Sequence, residues 1–366
     1  MAPSFTWLEI RLGCIKTNLQ RVREKTGGRK ILVPVKANAY GHGLVRVAQL
    51  LAEEGVDYLG IARWEEGAEL RENGIKVPLL LLNGFLPGEE ENILSYRITP
   101  SLTSEEQIKW LERLGEKSNK KIPLHIYVDT GMGRGGIREE RIFRVLEEVI
   151  SSPSLFVEGI YTHFPSADED EEFTWDQIRR FKGIKRKVEE KGINIPLWHM
   201  ANSAGILNFP ESYMDMVRPG IMIYGYYPSP KVRKSIKIEP SLIWKASVIG
   251  VEKTEAGKGI SYGLTYFTSR HCKIVILGVG YGDGYPRALS NKGKVMFKGK
   301  KYPVVGRVCM DEMMVEMDEG IEVKIGDSVT ILGEGIRVEE MAELLKTIPH
   351  EIVSQISRRV RRIYYE

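Results

Sequence analysis

Apolar residues recur along this chain in two rhythms. Between residues 31 and 217, short apolar runs (Ile31–Val35, Tyr58–Ala62, Pro78–Leu82, Ile98–Leu102, Leu124–Val128, Val157–Thr162, Leu197–Ala201 and Met214–Val217) alternate with longer stretches. In those stretches, such as Glu65–Glu72, Glu105–Glu116, Glu139–Ile150 and Gln177–Glu190, apolar side chains return every three to four residues. The runs have the length and flanking turn residues of buried strands, and the longer stretches have the one-sided pattern of surface helices. Eight such units predict a parallel sheet closed as a (β/α)8 barrel, with a further helix over Lys16–Lys25 ahead of it. Lys36, Asn83, Ser101, Asp129, His163, Asn202 with Ser203, and Arg218 all fall at or just past the C-terminal end of one of these strands. That rim is where barrels of this kind build their sites.

Past residue 235 or so the rhythm changes to strands with Gly-rich turns, over Ser241–Gly250, Lys273–Val279, Lys294–Lys298, Tyr302–Val308, Met313–Met317 and Asp327–Leu332, and one helix over Val338–Leu345. The expected organisation is a TIM barrel over 11–235 and a mostly β C-terminal domain over 236–366. The N-terminal strand Thr6–Ile10, within residues 1–10, and the last strand, Arg359–Tyr365, join that second domain. A length of 366 residues fits two domains.

Composition, at 42% hydrophobic and 28% charged, is that of a soluble globular protein. No stretch approaches the roughly 20 apolar residues of a membrane span. Met1–Trp7 lacks the charged and then apolar pattern of a secretory signal, so a cytoplasmic protein is expected. A net charge of +4 with dispersed signs gives no footprint for nucleic acid. The basic run Arg358–Arg362 reads as a charged edge strand. The cysteines, Cys14, Cys272 and Cys309, form no CxxC, and the six histidines form no HExxH, so neither a disulfide framework nor a metal site is expected. Gly131–Gly136 satisfies G-x-G-x-x-G, with Glu158 farther on. It follows the fifth strand, however, and carries Arg134 where the backbone would have to hug a pyrophosphate.

Lys36 ends the first barrel run. A lysine desolvated beside a buried strand loses its proton readily, and the neutral amine can attack a carbonyl. The Gly- and Asn-containing loop after it lets backbone N–H groups and the Tyr40 hydroxyl approach an anion. The whole stretch, Val33-Pro34-Val35-Lys36-Ala37-Asn38-Ala39-Tyr40-Gly41-His42-Gly43, resembles the pyridoxal-phosphate attachment motif of bacterial alanine racemases, and further matches extend the resemblance over essentially the whole chain.

The resemblance implies a pyridoxal 5'-phosphate enzyme that interconverts L- and D-alanine and supplies D-alanine for peptidoglycan. It implies that Lys36 holds the cofactor aldehyde, and that Tyr40, Ser203 in Ala201-Asn202-Ser203-Ala204, and the backbone of Gly220 and Ile221 hold its phosphate, with Asn202 and His163 also at the cofactor. Arg218 would face the ring nitrogen and, unable to give up its proton, leave that nitrogen unprotonated. Racemisation needs an acid/base group on each face. Lys36 is one, and the match for the other is Tyr262 in Ile260-Ser261-Tyr262-Gly263, supplied by the partner subunit of a homodimer with shared sites. Positive neighbours, His163 and Arg218, would help that phenol act near neutrality. Arg134 is implied to receive the substrate carboxylate or the cofactor's phenolic oxygen, and Tyr281, Met310 and Asp311 to lie near the amino-acid substrate.

Two positions depart from the family. Many members have a carbamylated lysine bracing the loop arginine where this chain has Tyr127, so that another acceptor, an anion or the phenol itself, must hold Arg134. Some have a phosphate-contacting tyrosine where this chain has Arg358. Substrate choice is accordingly left open to serine or a basic amino acid, and a decarboxylase shares the architecture. A non-catalytic cofactor carrier resembles the barrel alone, and the β domain with Tyr262 argues against it.

Overall fold

The computed structural model describes residues 4–366, and the chain forms two units. One comprises Lys16–Ala39 and Leu44–Ile238, the other Met1–Ile15, Tyr40–Gly43 and Glu239–Glu366. β1 (Thr6–Arg11) opens the chain in the second of these.

The first unit contains β2 (Lys30–Pro34), β3 (Tyr58–Ile61), β4 (Leu79–Leu81), β5 (Ile98–Leu102), β6 (Ile122–Asp129), the two-residue β7 (Ile137–Arg138), β8 (Leu155–Tyr161), β9 (Leu197–His199) and β10 (Met216–Val217). All pairings are parallel, and β10 returns to β2 while β5 meets β6, so eight strands close into a barrel with β7 attached to β6. The strands are continuous apolar runs because both faces are covered. Leu32, Tyr58, Leu80, Leu197 and Met216, from five strands, form one buried cluster; complete burial of such a side chain contributes roughly 1.5–3 kcal/mol. Helices over Trp64–Glu72, Glu106–Ser118, Ile142–Ser151 and Glu171–Glu190 follow their strands as the periodicity predicts.

Some ends differ from the sequence reading. The last barrel strand starts at Met216, since Met214 is left-handed (φ 52°) and Asp215 breaks off to bond its neighbours, its carbonyl accepting from Lys30 N at 3.2 Å and its carboxylate from Trp198 N at 2.9 Å. Helices at Glu90–Ser95 and Pro349–Ser354 escape the periodicity because six residues are too few to display it. Among the described residues no helix is long and apolar enough to cross a membrane.

The second unit is a β structure of β11 (Leu242–Thr254), β12 (Gly259–Ile260), β13 (Tyr266–Phe267), β14 (Cys272–Leu277), β15 (Lys294–Phe297), β16 (Lys300–Val305), β17 (Met313–Asp318), β18 (Ser328–Leu332) and β19 (Arg361–Tyr365). Its organiser is β11, whose register shifts between Val248 and Gly250. The half before the shift pairs with β1 and β18, and the half after it with β14. Since β14 also pairs with β17, the strands β14-β17-β16-β15-β18-β11 close on themselves, and β1 and then β19 continue the sheet outward. The arginines of β19 thus stand on an edge strand, where charge discourages further pairing.

Candidate active site

Just past β2, where the glycines and asparagine predict only a loop, the chain makes a defined turn. Ala37, Asn38, Ala39 and Tyr40 are all left-handed, with φ of 53°, 57°, 52° and 51°. Each such residue costs an L-amino acid about 1–2 kcal/mol, least for asparagine. Specific bonds hold the turn. Glu66 accepts from Ala37 N at 2.8 Å through one carboxylate oxygen and from Ala62 N at 2.7 Å through the other. Asn38 Oδ1 accepts from Leu44 N, the first residue of the next helix, at 2.9 Å. Strain maintained this firmly marks functional backbone. The Lys36 side chain that the turn presents is half-buried, and burial, then Arg134 and Arg218, push its ammonium below the ordinary range while Glu66 pulls the other way. Glu66 went unread in the sequence, because a glutamate in the first turn of a helix is the commonest of signals.

Arg218 follows β10 and is only 4% exposed. Its guanidinium donates to His199 Nδ1 at 2.8 Å, to the carbonyls of Thr162 (2.6 Å) and Met200 (3.1 Å), and to His163 Nδ1 at 3.3 Å, and it lies over the Tyr161 ring. Burial pushes it down to about 10, which leaves it charged at neutral pH. His163 is held well below its ordinary value by burial, then Arg218, Arg134 and Lys36. It is therefore neutral, and of the two positive neighbours expected to assist a phenol, only Arg218 carries charge.

Asn202 caps the helix Ser203–Asn208, accepting from Gly205 N at 2.9 Å and donating to the Phe164 carbonyl at 3.2 Å, so both ends of its amide serve the fold. The Gly220 N–H donates to Ser203 Oγ at 2.9 Å, which brings together two of the donors assigned to a phosphate, with Ile221 next in the chain. Burial pushes the Tyr40 phenol up to about 12 and keeps it a hydroxyl donor.

The Gly131–Gly136 loop is wound around Asp129, whose carboxylate accepts from Gly131 N at 3.0 Å and Gly133 N at 3.1 Å. Those N–H groups are spent inside the loop and do not form a pyrophosphate cradle. Arg134 at its tip is exposed. Tyr127 stacks on Tyr161, with ring centroids 4.9 Å apart, and its buried hydroxyl has no hydrogen-bond partner, so the phenol does not brace Arg134.

In the β unit, Tyr262 is 70% exposed on a short turn entered through a left-handed Ser261 (φ 63°). Ser261 Oγ donates to the Arg307 carbonyl at 2.6 Å, tying that turn to the segment leading to Met310. The Tyr281 loop is laced to the same segment, with Tyr281 N donating to the Cys309 carbonyl at 3.0 Å and Gly282 N to the Met310 carbonyl at 2.8 Å. Arg359 bridges Asp283 and Asp311, each at 2.8 Å. Tyr262, Tyr281, Met310 and Asp311 thus sit on mutually bonded loops of one unit, with Asp311 engaged by Arg359 and Tyr281 and Met310 turned outward. Arg358, next to Arg359 in the chain, is exposed.

Comparison with known proteins matches both halves of the chain. A family model described as alanine racemase, N-terminal domain, matches residues 10–228, and one described as alanine racemase, C-terminal domain, matches 241–364. Among curated relatives, an alanine racemase of Halothermothrix orenii is 44% identical over 98% of this chain and 96% of its own. Of solved structures, the alanine racemase of Clostridium difficile 630 superposes with a TM-score of 0.96 at 38% identity, covering 100% of this chain and 97% of that one. The alanine racemase of Bartonella henselae with covalently bound pyridoxal phosphate gives 0.90 at 30% identity, covering 99% of this chain and 100% of that one. With both halves matched in one continuous chain, the protein belongs to the alanine racemase family, a family of pyridoxal-phosphate-dependent amino-acid isomerases.

Proposed function

We propose that this chain interconverts L- and D-alanine in the cytoplasm by a two-base route, supplying D-alanine for peptidoglycan. The reading assigns the cofactor to a barrel domain over 11–235 and the second base to a β domain over 236–366 joined by strand 1–10. It is supported above all by Lys36, an amine whose burial and cationic neighbours favour its neutral form at the rim of a parallel barrel. The residues present suit the cofactor: Arg134 and Arg218, both close enough to act on Lys36, supply positive charge that an anionic phosphate and a phenolic oxygen would balance, and the Ser203 hydroxyl, which accepts from Gly220 N, has its own hydrogen to donate. Lys36 would hold the aldehyde, Tyr40, Ser203, Gly220 and Ile221 the phosphate, and Arg218 the ring nitrogen. Bound there, the group supplies a conjugated sink for the electrons left when the α-proton departs.

The chain's own residues do the rest. Arg134 holds the substrate carboxylate. Lys36 Nζ exchanges the proton on one face of Cα, and Tyr262 Oη of the partner subunit exchanges it on the other. The outward setting of Tyr262, Tyr281 and Met310, apolar side chains left exposed on ordered loops, supports a second copy as their cover. Racemisation of L-alanine in heavy water tests the reading: deuterium at Cα with appearance of D-alanine supports it, and release of carbon dioxide overturns it. Tyr262→Phe should retain cofactor and lose about 10²–10⁴-fold in kcat, the usual contribution of a positioned acid/base group.

A further inference from the structure

Arg218 is a buried cation that no carboxylate touches among the described residues; its acceptors are two imidazoles and two carbonyls. One of those imidazoles begins a chain. His199 accepts from Arg218 through Nδ1 at 2.8 Å, and its Nε2 lies 2.8 Å from His125 Nδ1. His125 Nε2 lies 3.3 Å from a Glu158 carboxylate oxygen. Both histidines are fully buried, while the Glu158 side chain is 26% exposed. Tyr58 also hydrogen-bonds Glu158, and Lys30 lies near it. Tyr58 and Lys30 are the first residues of β3 and β2, so the carboxylate stands at the barrel mouth opposite the rim that carries Lys36. The relay has a built-in place: a Cβ at Gly159 would lie 2.5 Å from the His125 ring, so only glycine admits that ring beside β8.

An arginine can only donate. His199 Nδ1 must therefore accept, its proton sits on Nε2, His125 Nδ1 must accept in turn, and the His125 Nε2 proton points at Glu158. Every bond in the chain has one permitted polarity: the guanidinium sets it at one end, and the Glu158 carboxylate supplies the acceptor that matches it at the other. We propose that Glu158 is a positioning residue for the reaction at the opposite rim, locking the tautomers of His125 and His199 so that Arg218 is held in place and oriented. Burial would raise the Glu158 carboxyl, and the bonds from His125 and Tyr58 with the nearby Lys30 outweigh it, keeping the terminal acceptor ionised. This inference deepens the assignment of Arg218 to the ring nitrogen and rests on it.

The test uses holoenzyme labelled with 15N-histidine, whose ring shifts report the tautomer independently of any substrate, alongside kcat and KM for alanine. In the wild type both rings should be neutral and protonated on Nε2. Glu158→Leu leaves His125 Nε2–H without an acceptor, and the chain can reverse its polarity only by releasing Arg218, so both rings should become tautomer mixtures and kcat should fall at least tenfold with KM within twofold. In Glu158→Gln the amide oxygen can still accept, and it should restore the single tautomer and most of kcat. The proposal is overturned if Glu158→Leu keeps both rings as in the wild type with kcat within twofold, or if both variants lose kcat equally with unchanged ring shifts. Should Glu158→Leu not fold, the wild-type spectrum decides: a proton on Nδ1 of either ring overturns the relay. Failure of alanine turnover alone, with tautomers as stated, would count against the racemase reading and leave the relay standing.

Discussion

The left-handed turn after Lys36 offers a sharp quantitative check, because two of its residues are alanines in opposite surroundings. Ala37 (φ 53°, ψ 50°) is exposed, whereas Ala39 (φ 52°, ψ 54°) is completely buried. Replacing Ala37 by glycine removes about 1–2 kcal/mol of steric strain. The unfolded chain gains freedom worth roughly 0.5–1 kcal/mol, which offsets part of that. No packing is lost at an exposed methyl, so Ala37→Gly should stabilise the protein by about 1 kcal/mol. Ala39→Gly relieves the same strain but also removes a buried methyl worth about 0.8 kcal/mol, so its net effect should be close to zero. Urea unfolding of the cofactor-free protein, followed by tryptophan fluorescence, measures both, and the slope against urea should not change. In the holoenzyme, Ala37→Gly should lower kcat, since the backbone presenting Lys36 is less restrained. If Ala37→Gly destabilises by 0.5 kcal/mol or more, or the two variants behave alike, the turn is not strained in the way argued.

Two further outcomes follow from the same neighbourhood. The folded-state pKa of Lys36 lies below its ordinary 10.5, so the charged amine is penalised in the folded state at neutral pH. Cofactor-free Lys36→Met should therefore be more stable than wild type at pH 7, with the gain shrinking as pH rises towards 10.5 and gone above it; a gain independent of pH in urea midpoints would contradict the assignment. Glu66→Gln leaves one amide N–H facing a backbone donor at Ala37 or Ala62, which should cost roughly 1–3 kcal/mol in the same unfolding assay, and no loss would show the bonds to be dispensable.

The barrel was legible because its strands are buried on both faces and so stand out as unbroken apolar runs, and because polar rim residues end seven of the eight runs. The β unit was legible as strands but not as a closed sheet. Its closure depends on the register shift in β11 at Val248 and Gly250, and a shift of that kind leaves no mark in a hydrophobic pattern. The same limit applies to Met214, whose left-handed backbone ends a run that reads as strand.

At the site, the letters were legible before their reasons were. Gly41 and Gly43 read as loop glycines, yet a Cβ at Gly41 would sit 2.0 Å from the Val353 carbonyl and one at Gly43 would sit 1.9 Å from the Tyr364 hydroxyl, both at positive φ. Each glycine is thus demanded by residues more than 300 positions away, and so is the Gly41 carbonyl, which accepts two bonds from Arg362. The histidines present the converse case. His125 and His199 carry no motif and read as structural or as supports behind a site. Their roles follow from a parallel sheet that brings β6, β8 and β9 side by side, so that an imidazole on each of two strands meets a carboxylate on a third. A residue whose partner is set by chain neighbours can be read from a motif. A residue whose partner is set by sheet order can be read only once the order is known, and the second kind governs Arg218, a buried cation that no carboxylate touches among the described residues.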